Sequence, residues 1–406
     1  MAGDGRMEVV RELCSFEGRL TGTDAERQAA NRLAERLRAL GRRAEVEPTY
    51  VHPQVGLVYA AHCLIALAGS LAGVAIPALG FGLVLVAATS MYLDLNARLY
   101  LLRLLFFRRA SQNVVSPGAR PQARARLLLS AHYDAARTGA AFAPRRMRVL
   151  AAAQRRLGFV FSPSRLLFWS VAALLPLLGA RMAGIDAAWI SVLQLPPTLV
   201  VLVALFAFVD IALSPVVPGA NDNASGVATA LSLAAELDRD PPRHLDVWVL
   251  LTGGEECLAQ GMRAFLREHR GDLDPSSTYL VNLDSVGAGE VRFEVGEGPT
   301  VTYALDSRLT QLCAAIAEAD AEGGKELAAR PLVHGFLTDA LPARHARIPA
   351  TTITCLEPAA AVPANYHTLD DVPDALDPAA LERAHDFALA LIRAVDRDLA
   401  RTTAAG

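Results

Sequence analysis

The sequence predicts an α/β domain, a mostly parallel mixed sheet with helices on both faces, interrupted by two helical hairpins that cross a bilayer. Three observations predict it. Helix-period and strand-like segments alternate through the polar part of the chain. Four long apolar stretches come in two pairs, each pair joined by a short tip. Histidines and carboxylates collect where strands end, as in "SAHYDAARTG" (130–139), the place where such sheets bind ligands.

The elements follow in order. "TDAERQAANRLAERLRALG" (23–41) is a helix, with Thr23 and Glu26 placed as a capping box and Gly41 as its stop. "RAEVEPTYV" (43–51) is a strand, and so is "ARLLLSAHYD" (125–134). His132 and Asp134, two apart at its end, point the same way because side chains alternate along a strand. "NASGVATALSLAAELDR" (223–239) has helical apolar spacing, and "HLDVWVLLT" (244–252) is a strand. "LAQGMRAFLREHR" (258–270) is helical; "STYLVNLDSV" (277–286) and "VRFEV" (291–295) are strands. "SRLTQLCAAIAEA" (307–319) is a helix, "PATTITCLE" (349–357) a strand, and "DPAALERAHDFALALIRAVDRDL" (377–399) a closing helix.

No Asp, Glu, Lys or Arg occurs from Pro48 to Leu93. Within that span, 55–76 and 78–95 are apolar segments hinged at Pro77, each near the roughly 20 residues that cross a hydrocarbon core. A second pair follows at 166–180, which carries Pro176, and at 187–209, with Pro196 and Pro197 near its start. His62, inside the first segment, reads as a neutral packing histidine. Arginines flank the open ends of both hairpins, in "ARLYLLRLLFFRR" (97–109) and "PRRMRVLAAAQRRLGF" (144–159), while the tips are almost uncharged. The positive-inside rule then puts the tips outside and the polar domain and both termini in the cytoplasm. Residues 97–109 are expected to lie along the interface as an amphipathic helix. Residues 1–54, 111–143 and 214–406 therefore form one polar domain; 55–110 hold hairpin 1 and the interfacial helix, and 144–213 a basic loop and hairpin 2.

Composition narrows the function. Net charge is −3 over 406 residues, which offers nucleic acid no electrostatic footprint. Hydrophobic residues make up 52% and mean hydropathy is +0.28, consistent with the bilayer as a partner. The five cysteines, Cys14, Cys63, Cys257, Cys313 and Cys355, are scattered and odd in number, so they read as reduced thiols. "MAGDGRMEVVREL" has no signal-peptide pattern.

Other candidate ligands share the position of His132. "PGANDNASG" (218–226) sets Asp222 in a turn before a helix, and "LLTGGEEC" (250–257) sets Glu255 and Glu256 past a strand. "YLVNLDSVG" (279–287) ends at Asp284, and "ANYHTLDD" (364–371) carries His367. Each is commonplace alone; together, in this order and at strand exits, they suit a metal site. Zinc takes imidazole nitrogen and carboxylate oxygen. Two ions about 3.5–4 Å apart need one bridging carboxylate and two further ligands each, hence two histidines and three carboxylates. Of a glutamate pair, one can coordinate while its neighbour accepts a proton from water.

The order His-x-Asp, "GANDNASG", "GGEE", "NLDSVG", "YHTLDD" resembles the M28 zinc aminopeptidases, the aminopeptidase Y or bacterial leucyl aminopeptidase type. "RLTGTDAERQAANRLAERLRALG" and "FLTDALPARHARIPATTIT" (336–354) are also similar to that family, so the likeness spans roughly 300 residues. It implies the zinc aminopeptidase (phosphorylase/hydrolase-like) fold and two zinc ions per chain. It places His132, Asp222 and Asp284 on one ion and Asp222, Glu256 and His367 on the other. Glu255 matches the general base, Asp134 the residue that orients His132, and Tyr366 a donor to the developing oxyanion. A peptide substrate and an exopeptidase, most readily an aminopeptidase, are implied. The chain departs from the family in both inserted hairpins, in Leu258 where a glycine usually follows the glutamate pair, and in Ala340 where a histidine commonly follows Thr338–Asp339. Two rival readings remain: a single-zinc glutaminyl cyclase, which shares the fold, and a non-catalytic scaffold or receptor.

Overall fold

The computed structural model describes residues 3–157, 162–185, 187–305, 307–323, 327–358 and 360–404. Residues 158–159 of the basic run, Asp186 at the second tip and Lys325 lie outside them.

The sheet contains β1 (Glu45–Val51), β2 (Arg109–Ser116), β3 (Ala125–His132), β4 (Leu245–Thr252), β5 (Thr278–Leu283), β6 (Glu290–Glu297), β7 (Tyr303–Ala304), β8 (Arg330–Val333) and β9 (Ala350–Leu356). Its order is β1-β2-β4-β3-β5-β9-β6-β7, with β8 beside β6. The centre, β4-β3-β5-β9, is parallel; β1, β2 and β6 join it in antiparallel pairs. Register brings the chemistry to one rim: His132 ends β3 opposite Thr252, the last residue of β4, and Asp284 follows the end of β5.

Alternation along the strands builds a core on each face. On one, Leu127, Leu129, Val249, Val281 and Ile353 pack against α1 (Gly3–Cys14), α2 (Asp24–Ala39), α8 (Gly226–Arg239), α10 (Ser307–Gly323) and α12 (Pro378–Ala404). On the other, Leu128, Leu250 and Leu280 meet α9 (Gln260–Glu268) and α11 (Ala340–His345). α2 starts as expected, Thr23 accepting from the Glu26 amide. The Glu26 carboxylate departs from the capping box: it takes the amide of Gly22 (2.7 Å) and the hydroxyl of Ser111 (2.6 Å).

The four apolar segments are α3 (Val55–Ala75), α4 (Pro77–Leu95), α6 (Pro163–Met182) and α7 (Ala188–Leu213), each long and apolar enough to cross a membrane. Pro77 opens α4 at its first turn, where a missing N–H costs nothing. α3 packs on α4 and α7, and α6 closes the bundle against α4 and α7. Small residues let the backbones meet: a Cβ on Gly80 would stand 2.3 Å from the Gly73 Cα and 2.5 Å from the Gly69 carbonyl oxygen. Polar side chains turn inward, Gln194 donating to Ser70 O (2.6 Å) and His62 meeting Ser90 Oγ (2.9 Å). The outer surface is Leu, Val, Phe and Trp, with Leu71 and Val203 each 69% exposed. That is the reverse of a soluble bundle.

Two expectations are corrected. Residues 97–109 contain a single 3₁₀ turn, Leu102–Leu105, in place of an interfacial helix, because Arg103 turns inward to a buried ion pair with Asp94 (2.6 Å) and to His52 O (2.9 Å). The basic loop is largely helical, as α5 (Pro144–Leu157), since arginine and alanine are good helix formers. α1, β7 and β8 carried too short or too weak a period to be read.

Candidate metal centre

His132 is buried at the end of β3. Its Nδ1 lies 3.5 Å from Asp134 Oδ1, and its Nε2 lies 3.2 Å from Asp222 Oδ1 and 3.9 Å from Asp284 Oδ2. One nitrogen therefore faces a fixed acid and the other faces the cleft. Asp134 is itself held: Oδ2 accepts from Thr21 Oγ1 (2.6 Å) and the Glu256 amide (3.2 Å), and Oδ1 from the Glu255 amide (3.2 Å). The same carboxylate thus orients the ring and the "GGEE" turn.

Asp222 is positioned by its backbone. The amides of Asn221 and Asp222 donate to the two oxygens of Asp371, at 2.7 and 3.1 Å. Asn223 Nδ2 donates to Leu283 O and its Oδ1 accepts from Ser285 N, tying this loop to the end of β5. Gly226 must be glycine at this approach, for a Cβ would stand 2.5 Å from Leu283 O. Arg19, fully buried, donates to Tyr133 O, Leu13 O and Gly219 O, so one guanidinium joins the β3 exit to the Asp222 loop.

His367 arrives from the loop after β9, its Nε2 3.3 Å from Asp222 Oδ2 and 3.4 Å from Glu256 Oε2. Tyr366 stacks on the His367 ring (centroids 3.9 Å apart), and Phe142 meets it edge-on (4.6 Å). His367 and Ser285 both have left-handed φ, 54° and 55°, at sites where the fold overrides the local cost. Donor atoms of His132, Asp222 and Asp284 lie within 4.8 Å of one another, as do those of Asp222, Glu256 and His367. His132, Glu255 and Glu256 meet the same limit, so proximity alone does not divide ligand from base between the two glutamates.

Electrostatics fits a cationic occupant. Burial, with Glu256, Asp284 and Asp339 nearby, pushes Glu255 well above the usual carboxylate range. Glu256 is likewise raised by burial, and burial raises Asp284 to about 7. Burial also disfavours the charge on Asp222, but His132 and His367 overcome it and hold this carboxylate below its usual range. Glu256 Oε1 is buried with no hydrogen-bond partner. A divalent ion would supply the missing charge and the missing partner.

All eight residues singled out in the sequence come to one rim, around a cavity of about 70 Å³ lined by His132, Asp222, Glu255, Glu256, Asp284, Tyr366 and His367, with Asp134 bonded beneath it. Sequence reasoning missed Asp371, Arg19 and Asn223, although the second aspartate of "YHTLDD" stands in that motif. It also missed Glu294 and His334, which line the same cavity. His334 accepts from Phe336 N at Nδ1 (3.2 Å) and sets Nε2 2.6 Å from Glu294 Oε1, an ion-pair contact in which Nε2 has no hydrogen-bond partner among the described residues. The two family departures are structural. Leu258 has φ 70°, the conformation for which glycine is suited, and its side chain packs against the helix bundle. Ala340 is fully buried beneath the sheet.

The profile of Peptidase family M28 matches residues 198–392, a stretch that includes Asp222, Glu255, Glu256, Asp284 and His367. No curated protein matches the chain. Among solved structures, a zinc aminopeptidase from Bacillus subtilis superimposes with TM-score 0.55 at 13% identity, over 96% of this chain and 94% of that one. A Zn-dependent exopeptidase from Parabacteroides distasonis gives 0.54 at 14% identity, over 96% and 97%. A glutaminyl cyclase from Bacteroides thetaiotaomicron gives 0.53 at 16% identity, over 96% and 97%. The mixed sheet and its helical layers are therefore the zinc-exopeptidase fold, and residues 198–392 of the chain match Peptidase family M28.

Proposed function

We propose that the protein is a membrane-anchored dinuclear zinc aminopeptidase whose catalytic domain and termini face the cytoplasm. The observation that carries the reading is that Asp222 offers one oxygen to His132 and the other to His367. The donor set of imidazole nitrogens and carboxylate oxygens suits zinc. His132, Asp222 and Asp284 would hold one ion, and Asp222, Glu256 and His367 the other. Zinc bound there supplies a Lewis acid for the scissile carbonyl and lowers the pKa of water toward neutrality.

The chain's own residues do the rest. Glu255 accepts the proton of the attacking water and returns it to the leaving amine. Its amide is pinned by Asp134, and its raised proton affinity suits a group that must carry a proton between steps. Asp134 holds the His132 ring. Tyr366, stacked on His367 in the cavity wall, is the donor to the developing oxyanion.

Four apolar helices, with apolar side chains outward and polar ones inward, support the bilayer, and the arginines flanking the helix pairs support the cytoplasmic side. Glutaminyl cyclases share the fold, but here a His–Asp–Asp group accompanies the Asp–Glu–His group. A peptide-library digest by the detergent-solubilised chain, with zinc measured per chain, tests the reading. Removal of single amino-terminal residues at about two zincs per chain is expected. One zinc with ammonia released from amino-terminal glutamine would favour the cyclase, and a folded, metal-free, inactive protein the scaffold.

A further inference from the structure

The site has a second opening. A cavity of about 450 Å³ runs from Glu256 and His367 to the place where the apolar helices meet the sheet domain. Its walls there are Leu57 in the first turn of α3, Phe208 and Ile211 near the end of α7, and Phe107. The rim is apolar and open, with Leu57 47% and Phe107 83% exposed. Leu57 belongs to α3 and Phe208 and Ile211 to α7, two of the four candidate spans. Arg109 and Arg137 also line the cavity, and Glu256 is the carboxylate in its wall.

We propose that this cavity admits the amino-terminal end of a peptide whose later residues form an apolar, bilayer-held segment; this rests on the peptidase reading above. Direction follows from the aminopeptidase reading: the site takes the free amino end, so the chain enters amino end first and its later residues lie along the rim. The apolar rim meets the segment that stays at the membrane surface, where an opening in a water-facing wall would gain nothing from Phe107 or Leu57. The substrate class is thus membrane-tethered chains with a free amino end on the cytoplasmic side.

The test uses the full zinc-loaded chain in phospholipid vesicles with two peptides of one amino-terminal sequence. One is soluble; the other continues into an apolar span of about 20 residues. The wild type is expected to cleave the tethered peptide with kcat/KM at least about tenfold higher. Tethering alone raises local concentration, so the deciding comparison is with Phe107→Asp and Leu57→Asp, which should lower the tethered-to-soluble ratio at least about fivefold. An unchanged ratio would overturn the proposal. A photo-cross-linker on Phe107→Cys reads the path without turnover. It should capture the tethered peptide where its amino-terminal sequence passes into the apolar span, and failure to capture that junction would also overturn it. If neither peptide is cleaved while cross-linking succeeds, the peptidase reading falls and the path stands.

Discussion

Asp222 stands between His132 and His367, with Oδ1 3.2 Å from one imidazole and Oδ2 3.3 Å from the other. If that carboxylate is shared by two ions, Asp222→Asn should empty both positions, whereas His132→Ala and His367→Ala should each retain about one zinc per chain. Elemental analysis of the purified variants decides it. Wild-type zinc content in Asp222→Asn would remove the bridge.

Glu255→Gln keeps the shape of the base and removes its proton acceptance. Turnover of a peptide amide should fall by about 10²–10⁴-fold with zinc content unchanged. Equal rates for variant and wild type would leave proton transfer to another group.

Asp371 acts through the backbone of Asn221 and Asp222. Asp371→Ala should lower kcat by about 10- to 100-fold with little change in KM, and Asp371→Asn, which keeps one acceptor, should recover part of the loss. Steady-state kinetics on the three proteins separates this positioning role from general destabilisation, which would lower the active fraction without rescue by asparagine.

Burial, aided by the nearby Asp134 charge, raises Glu26 in the folded protein to about 8, from an ordinary value of 4.5. Folding therefore takes up a proton between those values, so this group's contribution to stability is present below about pH 4.5 and is lost as pH rises toward 8. Each unit is about 1.4 kcal/mol, so a few kcal/mol are at stake. Glu26→Gln should flatten the fall in melting temperature across that window in detergent. Parallel curves for variant and wild type would show the carboxyl titrating normally.

Gly80 sits where the backbones of α3 and α4 nearly touch. Gly80→Ala should destabilise the bundle by about 1–3 kcal/mol, while Gly82→Ala, with nothing within 4 Å of its Cβ, should be neutral. Melting of the two variants in the same detergent compares them directly, and equal melting would mean the helices part at no cost.

Much of the site was legible because strand alternation and strand ends are local properties. His132 and Asp134 share a face by a period of two, and Glu255, Glu256 and Asp284 each follow a recognisable apolar run. Arg19, Asn223 and Asp371 were not legible. Their partners are backbone groups far along the chain, such as Gly219 O for Arg19 and Leu283 O for Asn223, and no spacing announces a bond to a carbonyl. The run 97–109 misled because charge periodicity suggests an interfacial helix, while a buried partner, Asp94, draws Arg103 inward.

The sequence by itself determined the alternating α/β segments, the four spans long enough for a bilayer, and the identity of the candidate ligands, since hydrophobic period, segment length and donor chemistry are written residue by residue. Tertiary structure alone decided that Asp222 faces two histidines, that the four spans close into one bundle, and that a cavity joins that bundle to Glu256 and His367. Those are relations between distant parts of the chain, set by sheet register and close packing.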